Sequence, residues 1–280
     1  IAEEGGKVVV DFAAPTIDGV TSGWLPQAVD QISITYGGAQ YLAPGTVFLS
    51  GYSAAADFLY RSYDNGGSWT KLAPPTNNKG FVFAARDSNL VVAGTFGGTV
   101  LRSTDGGSTW DTTYQHVDYI DAIAFVGRDT MVAVGDYDDM GVLVIRSTDA
   151  GLTWVRQTIP AADSAMNYAY ATYRQAMSVY NKTVWLTLYK SGVNGRIMKS
   201  TDAGATWDSW EVPLTGGTAQ NYYFRSINMA NDSIGFAVDR QVGSGLANYL
   251  HRTTNGGRTW SDTLNMQAGP HAEARVKSAK

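Results

Sequence analysis

Short apolar runs separated by polar, glycine-rich clusters fill most of the chain. TVLRS (Thr99 to Ser103), VLVIRS (Val142 to Ser147), RIMKS (Arg196 to Ser200) and YLHRT (Tyr249 to Thr253) are each preceded by a second run: NLVVAGT, DTMVAVGD, TVWLTLY or SIGFAVD. Earlier still in each unit comes a third: GFVFAAR, YIDAIAFVG, RQAMSVY or FRSINMA. Runs of this length, rich in β-branched residues and bounded by Gly, Asn or Asp, predict strands.

The polar cluster after each unit is nearly the same every time. It reads SYDNGGSW (Ser62 to Trp69), STDGGSTW (Ser103 to Trp110), STDAGLTW (Ser147 to Trp154), STDAGATW (Ser200 to Trp207) and TTNGGRTW (Thr253 to Trp260). Trp69, Trp110, Trp154, Trp207 and Trp260 are thus spaced 41, 44, 53 and 53 residues apart, a period that predicts propeller blades or a similar array. A degraded copy, TIDGVTSGW (Thr16 to Trp24), lies 45 residues before Trp69.

Each cluster has the makings of a hairpin lock. Asp64, Asp105, Asp149, Asp202 and Asn255 can accept hydrogen bonds from backbone N–H groups farther along the turn, and glycine supplies positive φ where a side chain would clash. The Trp that follows opens a fourth strand, and burying its ring between sheets contributes about 2–3 kcal/mol. Four strands per unit is the content of one blade. The expected fold is therefore an all-β propeller of four-stranded antiparallel blades over residues 1–265, most simply six of them, with five or seven also compatible. Residues 266–280 form a tail, closing strand or linker. KVVVDF (Lys7 to Phe12) is expected to pair with the last blade and help complete a shared sixth one, since an open ring would expose a sheet edge.

SxDxGxTW repeated at blade spacing resembles the Asp-box, or bacterial neuraminidase repeat, family. That family includes sialidases, some endoglucanases, sortilin-type receptors and photosystem assembly factors. The resemblance implies that the box joins the third and fourth strands at the outer rim, and that ligands bind the opposite face. On that face it places the second-to-third loops Gly51 to Asp57, Gly94 to Gly98, Gly135 to Gly141, Tyr189 to Gly195 and Asp239 to Gly245. The loops leading into first strands, Tyr114 to Asp121, Pro160 to Arg174 and Thr215 to Arg225, join them there.

Chemistry on that face is incomplete for an enzyme. The Arg-Ile-Pro signature of sialidases does not occur, although Arg174, Arg225 and Arg240 could converge near Tyr168, Tyr170, Tyr173, Tyr222 and Tyr223. A glycosidase needs two carboxyls about 5–9.5 Å apart. Asp118, Asp121, Asp136, Asp138, Asp139 and Asp239 are the candidates, and solvated or turn-forming acids are the simpler reading. Around Tyr137, Asp136, Asp138 and Asp139 could hold Ca²⁺ through oxygen ligands, without the regular spacing of a dedicated loop. His116, His251 and His271 show no metal-pair spacing. Outside the turns only Trp185 and Trp210 remain as sugar platforms, and Trp185 lies in a strand pattern that suits packing; the tyrosine-rich loops are the better binding surface.

Composition narrows the rest. With 44% hydrophobic residues the 280-residue chain can bury a real core, and 31 glycines with 16 tyrosines suit many turns and half-buried strands. Only 16% of residues are charged and the net charge is -4, which argues against nucleic acid as partner. The absence of Cys excludes disulfides and thiolate chemistry. No apolar run approaches the roughly 20 residues of a membrane span. The chain begins at Ile1, which suggests a processed export product or a piece of a longer protein; NKT at Asn181 and NDS at Asn231 are too common to mean more. The expectation is an exported, non-catalytic propeller at a cell surface or in a periplasm, binding a protein or glycan on the face opposite the boxes, within a larger assembly or polypeptide. The alternative is a glycosidase acting on that same face.

Overall fold

The computed structural model describes residues 2–4, 7–9, 36–42, 44–52, 57–73, 80–116, 118–138, 141–159, 170–171, 175–189, 195–211, 222–241 and 248–266. Strands β1 (Ala2–Glu4) and β2 (Lys7–Val9) pair with each other. Five larger antiparallel sheets follow in chain order. The first is β3 (Tyr36–Leu42), β4 (Thr46–Tyr52), β5 (Asp57–Ser62) and β6 (Thr70–Leu72). The second is β7 (Phe81–Ala85), β8 (Val91–Thr95), β9 (Thr99–Ser103) and β10 (Asp111–Gln115). The third is β11 (Ile120–Phe125), β12 (Met131–Asp138), β13 (Gly141–Ser147) and β14 (Val155–Arg156). The fourth holds β15 (Tyr170–Ala171), β16 (Met177–Tyr180), β17 (Thr183–Tyr189), β18 (Arg196–Ser200) and β19 (Asp208–Glu211), with both β15 and β16 on β17. The fifth is β20 (Tyr222–Met229), β21 (Gly235–Gln241), β22 (Asn248–Thr253) and β23 (Ser261–Met266).

Consecutive sheets stack face to face. First strands neighbour one another, β3 with β7, β7 with β11, β11 with β16 and β16 with β20, so they lie innermost. The core is accordingly four layers, one between each pair of sheets. Phe48 and Leu59 meet Phe81 and Val91; Val92 and Val100 meet Met131 and Leu143; Val132 and Val144 meet Leu186 and Met198; Trp185 and Ile197 meet Phe224 and Ala237. Third strands read as near-continuous apolar runs because both faces are covered, whereas β10 and β19, on the outside, keep polar exposed positions. Near the axis the layers are tight. A Cβ at Gly94 of β8 would collide with the Ile120 side chain of the next sheet, so only glycine fits there.

The repeated turn joins third to fourth strand in all five sheets and has one geometry. Its first hydroxyl, as at Ser147, donates to the Asp149 carboxylate at 2.8 Å and accepts from the N–H of Asp149 (3.3 Å) and Gly151 (2.9 Å). Asp149 in turn accepts from the Thr153 N–H at 2.9 Å and from its hydroxyl. In the fifth sheet Thr253 and Asn255 make the same pattern. The fourth and fifth residues are both left-handed, and the fourth is not always glycine: Asn65, Ala150 and Ala203 have φ of 59°, 58° and 58°. What holds the non-glycine residues there is a common anchor. The fourth-residue N–H donates to the carbonyl of the first hairpin of its own sheet, at Gly45, Asn89, Asp129, Lys182 and Ser233 in turn.

Turns also clamp the sheets together. Arg61 donates to the Asp105 and Gly106 carbonyls of the next sheet's turn, Arg102 to the Ala150 carbonyl and Arg146 to the Ala203 carbonyl. In the fourth sheet the Trp185 indole N–H takes over, donating to the Gly256 carbonyl at 2.9 Å, and Trp210 donates to Gly257 at 2.9 Å. Both tryptophans outside the repeat are therefore rim clamps.

Several loop expectations are corrected. Strands β12 and β13 continue into the region expected as the Gly135–Gly141 loop, with Tyr137 opposite Val142 and Asp138 opposite Gly141. Asp239, Arg240 and Gln241 extend β21, Tyr114 and Gln115 belong to β10, and Tyr170–Ala171 is a short strand inside the expected Pro160–Arg174 loop. Long loops become strand because the ladder continues wherever alternating residues can still pack. Lys7–Val9 is a strand as expected, but its partner is β1 rather than the last sheet. The degraded turn at Thr16–Trp24 and the tail beyond Met266 lie outside the described residues. Among the described residues no helix is long and apolar enough to cross a membrane.

Candidate functional site

Up-and-down strands put the repeated turns and the first hairpins at one end of every sheet, leaving the second-to-third connections and the lead-in segments at the other. At that second end, between the second and third sheets, the structure brings a small group together. The connector from β10 to β11 runs close under the Thr95–Thr99 turn: His116 N–H donates to the Gly98 carbonyl at 2.7 Å, and a Cβ on Gly98 would sit 2.5 Å from the carbonyls of His116 and Asp118. Gly135 plays the same part on the other side, since a Cβ there would collide with the Tyr119 carbonyl. Two glycines thus let the connector be pinned, and Asp136 N–H donates to the Tyr119 carbonyl at 3.0 Å.

Both acids of the group sit where the ladder slips. Pairing of β11 with β12 jumps from Ile120↔Gly135 to Ala122↔Val134, leaving Asp121 as the extra residue. Pairing of β12 with β13 jumps from Gly135↔Leu143 to Tyr137↔Val142, leaving Asp136 as the extra one. β-Bulges re-aim side chains, and here they turn two carboxyls toward each other. Asp121 is 7% exposed.

Burial, and next the charge of Asp136 and the hydrogen bond between the two carboxyls, push Asp121 well above the usual carboxylate range. Burial also raises Asp136; its bond to Asp121 and the nearby His116 oppose that, and Asp118 reinforces it. Two carboxyls in contact in a desolvated site share a proton rather than both ionise.

Two aromatic rings pair where the Thr95–Thr99 turn meets the connector. Phe96 lies 5.4 Å from Tyr119, centroid to centroid, and Tyr119 is 50% exposed. Neither ring belonged to the candidate set.

Asp118 is exposed, and its N–H donates to His116 Nδ1 at 3.1 Å. Tyr137 is half-buried in β12. Asp138 ends β12, and Asp139 lies outside the described residues, as do Tyr168, Tyr173 and Arg174. Among the described residues no group of three or more His, Asp or Glu is arranged to hold a metal. Tyr170 pairs with Tyr189 in the ladder, while Tyr222 and Arg240 lie in β20 and β21. Tyr223 is buried with its ring 4.4 Å from Tyr189, between the fourth and fifth sheets. Arg225 occupies the β20 bulge, the place Asp121 holds in the third sheet. Asp239, expected on a loop, is 2% exposed with His251 Nε2 3.1 Å from its carboxylate. The candidates therefore do not form one cluster: Asp118, Asp121 and Asp136 gather between the second and third sheets, and Tyr223 and Asp239 are both held in the fifth.

No family model matches the chain. It is 29% identical over 198 residues to a major S-layer protein of Methanosarcina mazei, covering 64% of this chain and 26% of that protein. Among solved structures it is similar to a GH74 xyloglucanase from Xanthomonas campestris (TM-score 0.60, 14% identity, 79% of this chain and 36% of that one). A GH74 enzyme from Niastella koreensis is similar too (TM-score 0.58, 17% identity, 79% and 36%). So is YCF48 bound to a D1 peptide (TM-score 0.54, 14% identity, 88% and 72%). The chain thus spans about a quarter of the S-layer protein and about a third of each GH74 enzyme. All three solved neighbours are propellers, and with stacked four-stranded antiparallel sheets of its own this chain has the β-propeller fold.

Proposed function

We propose that this chain is a non-catalytic propeller module of the Asp-box type, holding a protein or glycan on the face opposite its repeated turns, within an exported surface assembly. One observation carries the reading: Asp121 and Asp136 are bulge residues on paired strands, set side by side next to the Ile120↔Gly135 pair. Carboxyls in contact leave no room for a glycosidic bond, which needs a gap of about 5–9.5 Å between them. The S-layer relative supports a place at the cell surface, and the peptide bound by YCF48 supports a protein partner for this fold. The likeness to GH74 enzymes favours a glycosidase as the second reading.

Six sheets complete the ring in this reading, the sixth drawing on the degraded turn at Thr16–Trp24. Arg252 stands where Arg61, Arg102 and Arg146 stand in earlier sheets, yet it is exposed. A turn docked there would receive it.

Native purification of the tagged protein from its source cells tests the function. A stable complex that Tyr119→Ala and Asp118→Ala disrupt, with no hydrolysis of xyloglucan, β-glucan or sialosides, is the expected result. Hydrolysis of any of these by the parent, lost in Asp121→Ala and Asp136→Ala, overturns it.

A further inference from the structure

At the end of the sheets that carries the repeated turns, the second sheet has an open cavity of about 300 Å³ between its first hairpin and its own turn. Arg86, Asp87, Ser88 and Asn89 line it from the hairpin, and Arg102 and Thr104 from β9 and the turn. Arg86 departs from the repeat. Its N–H donates to the Leu90 carbonyl, as Val126 donates to Thr130 in the third sheet and Ala230 to Ile234 in the fifth, so the same place is apolar in those sheets. Stability does not explain the exchange. The link that Arg86 makes from Nη1 to Asp129, at 2.7 Å, is partly exposed, and such pairs contribute about 0–1 kcal/mol.

Both guanidiniums are held in place by the protein itself. Arg102 donates from Nε to the Ala150 carbonyl at 3.0 Å, a bond that engages neither of its Nη groups. Arg86 donates from Nε to Asp87 (3.0 Å) and from Nη1 to Asp129, contacts that leave Nη2 out. Asp87 is already committed: one oxygen accepts the Asn89 and Leu90 N–H groups at 2.9 Å, and the other accepts Arg86 Nε. The cavity is therefore rich in positioned N–H donors.

We propose that it binds a sugar that carries a carboxylate, a hexuronate-type ring, with the carboxylate on the Nη groups of Arg102 and Arg86 and the ring hydroxyls on Ser88, Asn89 and Thr104. Guanidinium and carboxylate match in planar, two-point geometry, and arginines already held in place avoid the ordering cost of free surface side chains. Asp87 and Asp129 balance Arg86, so Arg102 supplies one surplus charge, which suits a carboxylate better than a doubly charged phosphate. Hydroxyl and amide side chains both donate and accept, as sugar hydroxyls do. Leu90 is the one apolar residue of the lining, and it is only 3% exposed, so an apolar ligand would find little cover. The volume lies at the lower end of the range for small-molecule sites, about 300–1,000 Å³, which fits a single ring. This site lies at the other end of the sheets from the partner face and does not depend on it.

The test is saturation-transfer NMR on the whole chain with methyl β-D-glucuronide as probe, methyl β-D-glucoside as its neutral counterpart, and N-acetyl-aspartate methylamide and sodium sulfate as competitors. The expected result is saturable transfer to the glucuronide in the millimolar range, about tenfold weaker binding of the glucoside, and no displacement by either competitor. Two substitutions borrow what sister sheets carry at the same places, and so are compatible with the fold. Arg86→Val copies the third sheet's Val126, and Arg102→Lys copies the fourth sheet's Lys199, which also stands just before the turn. Each should weaken glucuronide binding about fivefold or more. Arg146→Ala removes the matching clamp from the third sheet and should leave binding unchanged. No saturable transfer, equal binding of the glucoside, or displacement by the aspartate probe or sulfate overturns the proposal. So does glucuronide binding that survives both substitutions, or a loss in Arg146→Ala as large as in Arg102→Lys.

Discussion

Removing one oxygen from a turn measures how firmly the repeat locks its hairpin. In the third sheet Ser147 is 2% exposed, and its hydroxyl holds Asp149 at 2.8 Å and the Gly151 N–H at 2.9 Å. Ser147→Ala would free both ends, with unequal consequences. Asp149 is near the surface and keeps Thr153, so water replaces its lost bond at little cost. The Gly151 N–H cannot be rescued this way, because the residue packs against Val92 and Met131 of the adjoining layer. A buried unsatisfied donor costs about 1–3 kcal/mol, so the variant should lose about 2 kcal/mol. For a chain of this size that lowers Tm by roughly 4–8 °C.

The fifth sheet supplies the control, since Thr253 makes the same bonds from a branched side chain. Ser147→Thr should therefore stay within about 0.5 kcal/mol of the parent. Scanning calorimetry or tryptophan fluorescence on the two variants decides. A Ser147→Ala protein as stable as Ser147→Thr would refute the claim that this hydroxyl, rather than the glycines alone, holds the turn.

Stability should fall at both ends of the pH range for opposite reasons. Hydrogen bonds led by Ser68 and Thr109 hold Asp64 and Asp105 at about 2, and at Asp149 and Asp202 burial pulls upward but is outweighed by bonds from Thr153 and Thr206, again to about 2. Lowered folded-state values stabilise above the unfolded carboxylate range, so this stability drains as pH falls from about 4 to about 2. Asn255 has no charge to lose, so its turn should be the most acid-resistant by hydrogen exchange. Asp121 and Asp136 behave in reverse: their raised values favour the folded state while protonated, and stability declines as pH rises from about 4 toward 8. Asp121→Asn should flatten that decline and stabilise the protein at pH 8 by about 1–3 kcal/mol, and an unchanged slope in pH-dependent urea unfolding would contradict the pairing. Arg146→Ala should cost about 1 kcal/mol through the Ala203 carbonyl, and Arg252→Ala about as much if a sixth turn docks on it. A silent Arg252→Ala beside a destabilised Arg146→Ala would argue for an open ring at that sheet.

Much was legible from residues alone because it is local. The turn reads directly from Ser147, Asp149, Gly151 and Trp154, since the Ser147 hydroxyl and Asp149 carboxylate bonds within it span four residues or fewer, and periodicity counts the units that carry it. Third strands were equally plain, their unbroken apolar runs demanding cover on both faces. Ala150 and Ala203 were less so: only the anchor to the first hairpin, some twenty residues earlier, explains alanine at positive φ.

Tertiary structure alone decided the rest. Whether Asp136 is a loop acid or a strand residue depends on how far β12 and β13 continue to pair, and whether Asp121 meets it depends on two bulges in different strand pairs. Asp239 moved from an expected loop into the core because His251, lone in sequence, lies across the next strand from it. The repeat determined the scaffold, because hydrogen-bonded turns and apolar periods are properties of neighbouring residues. The candidate site was set by register and by the close approach at Gly98 and Gly135, contacts that arise only once the sheets have stacked.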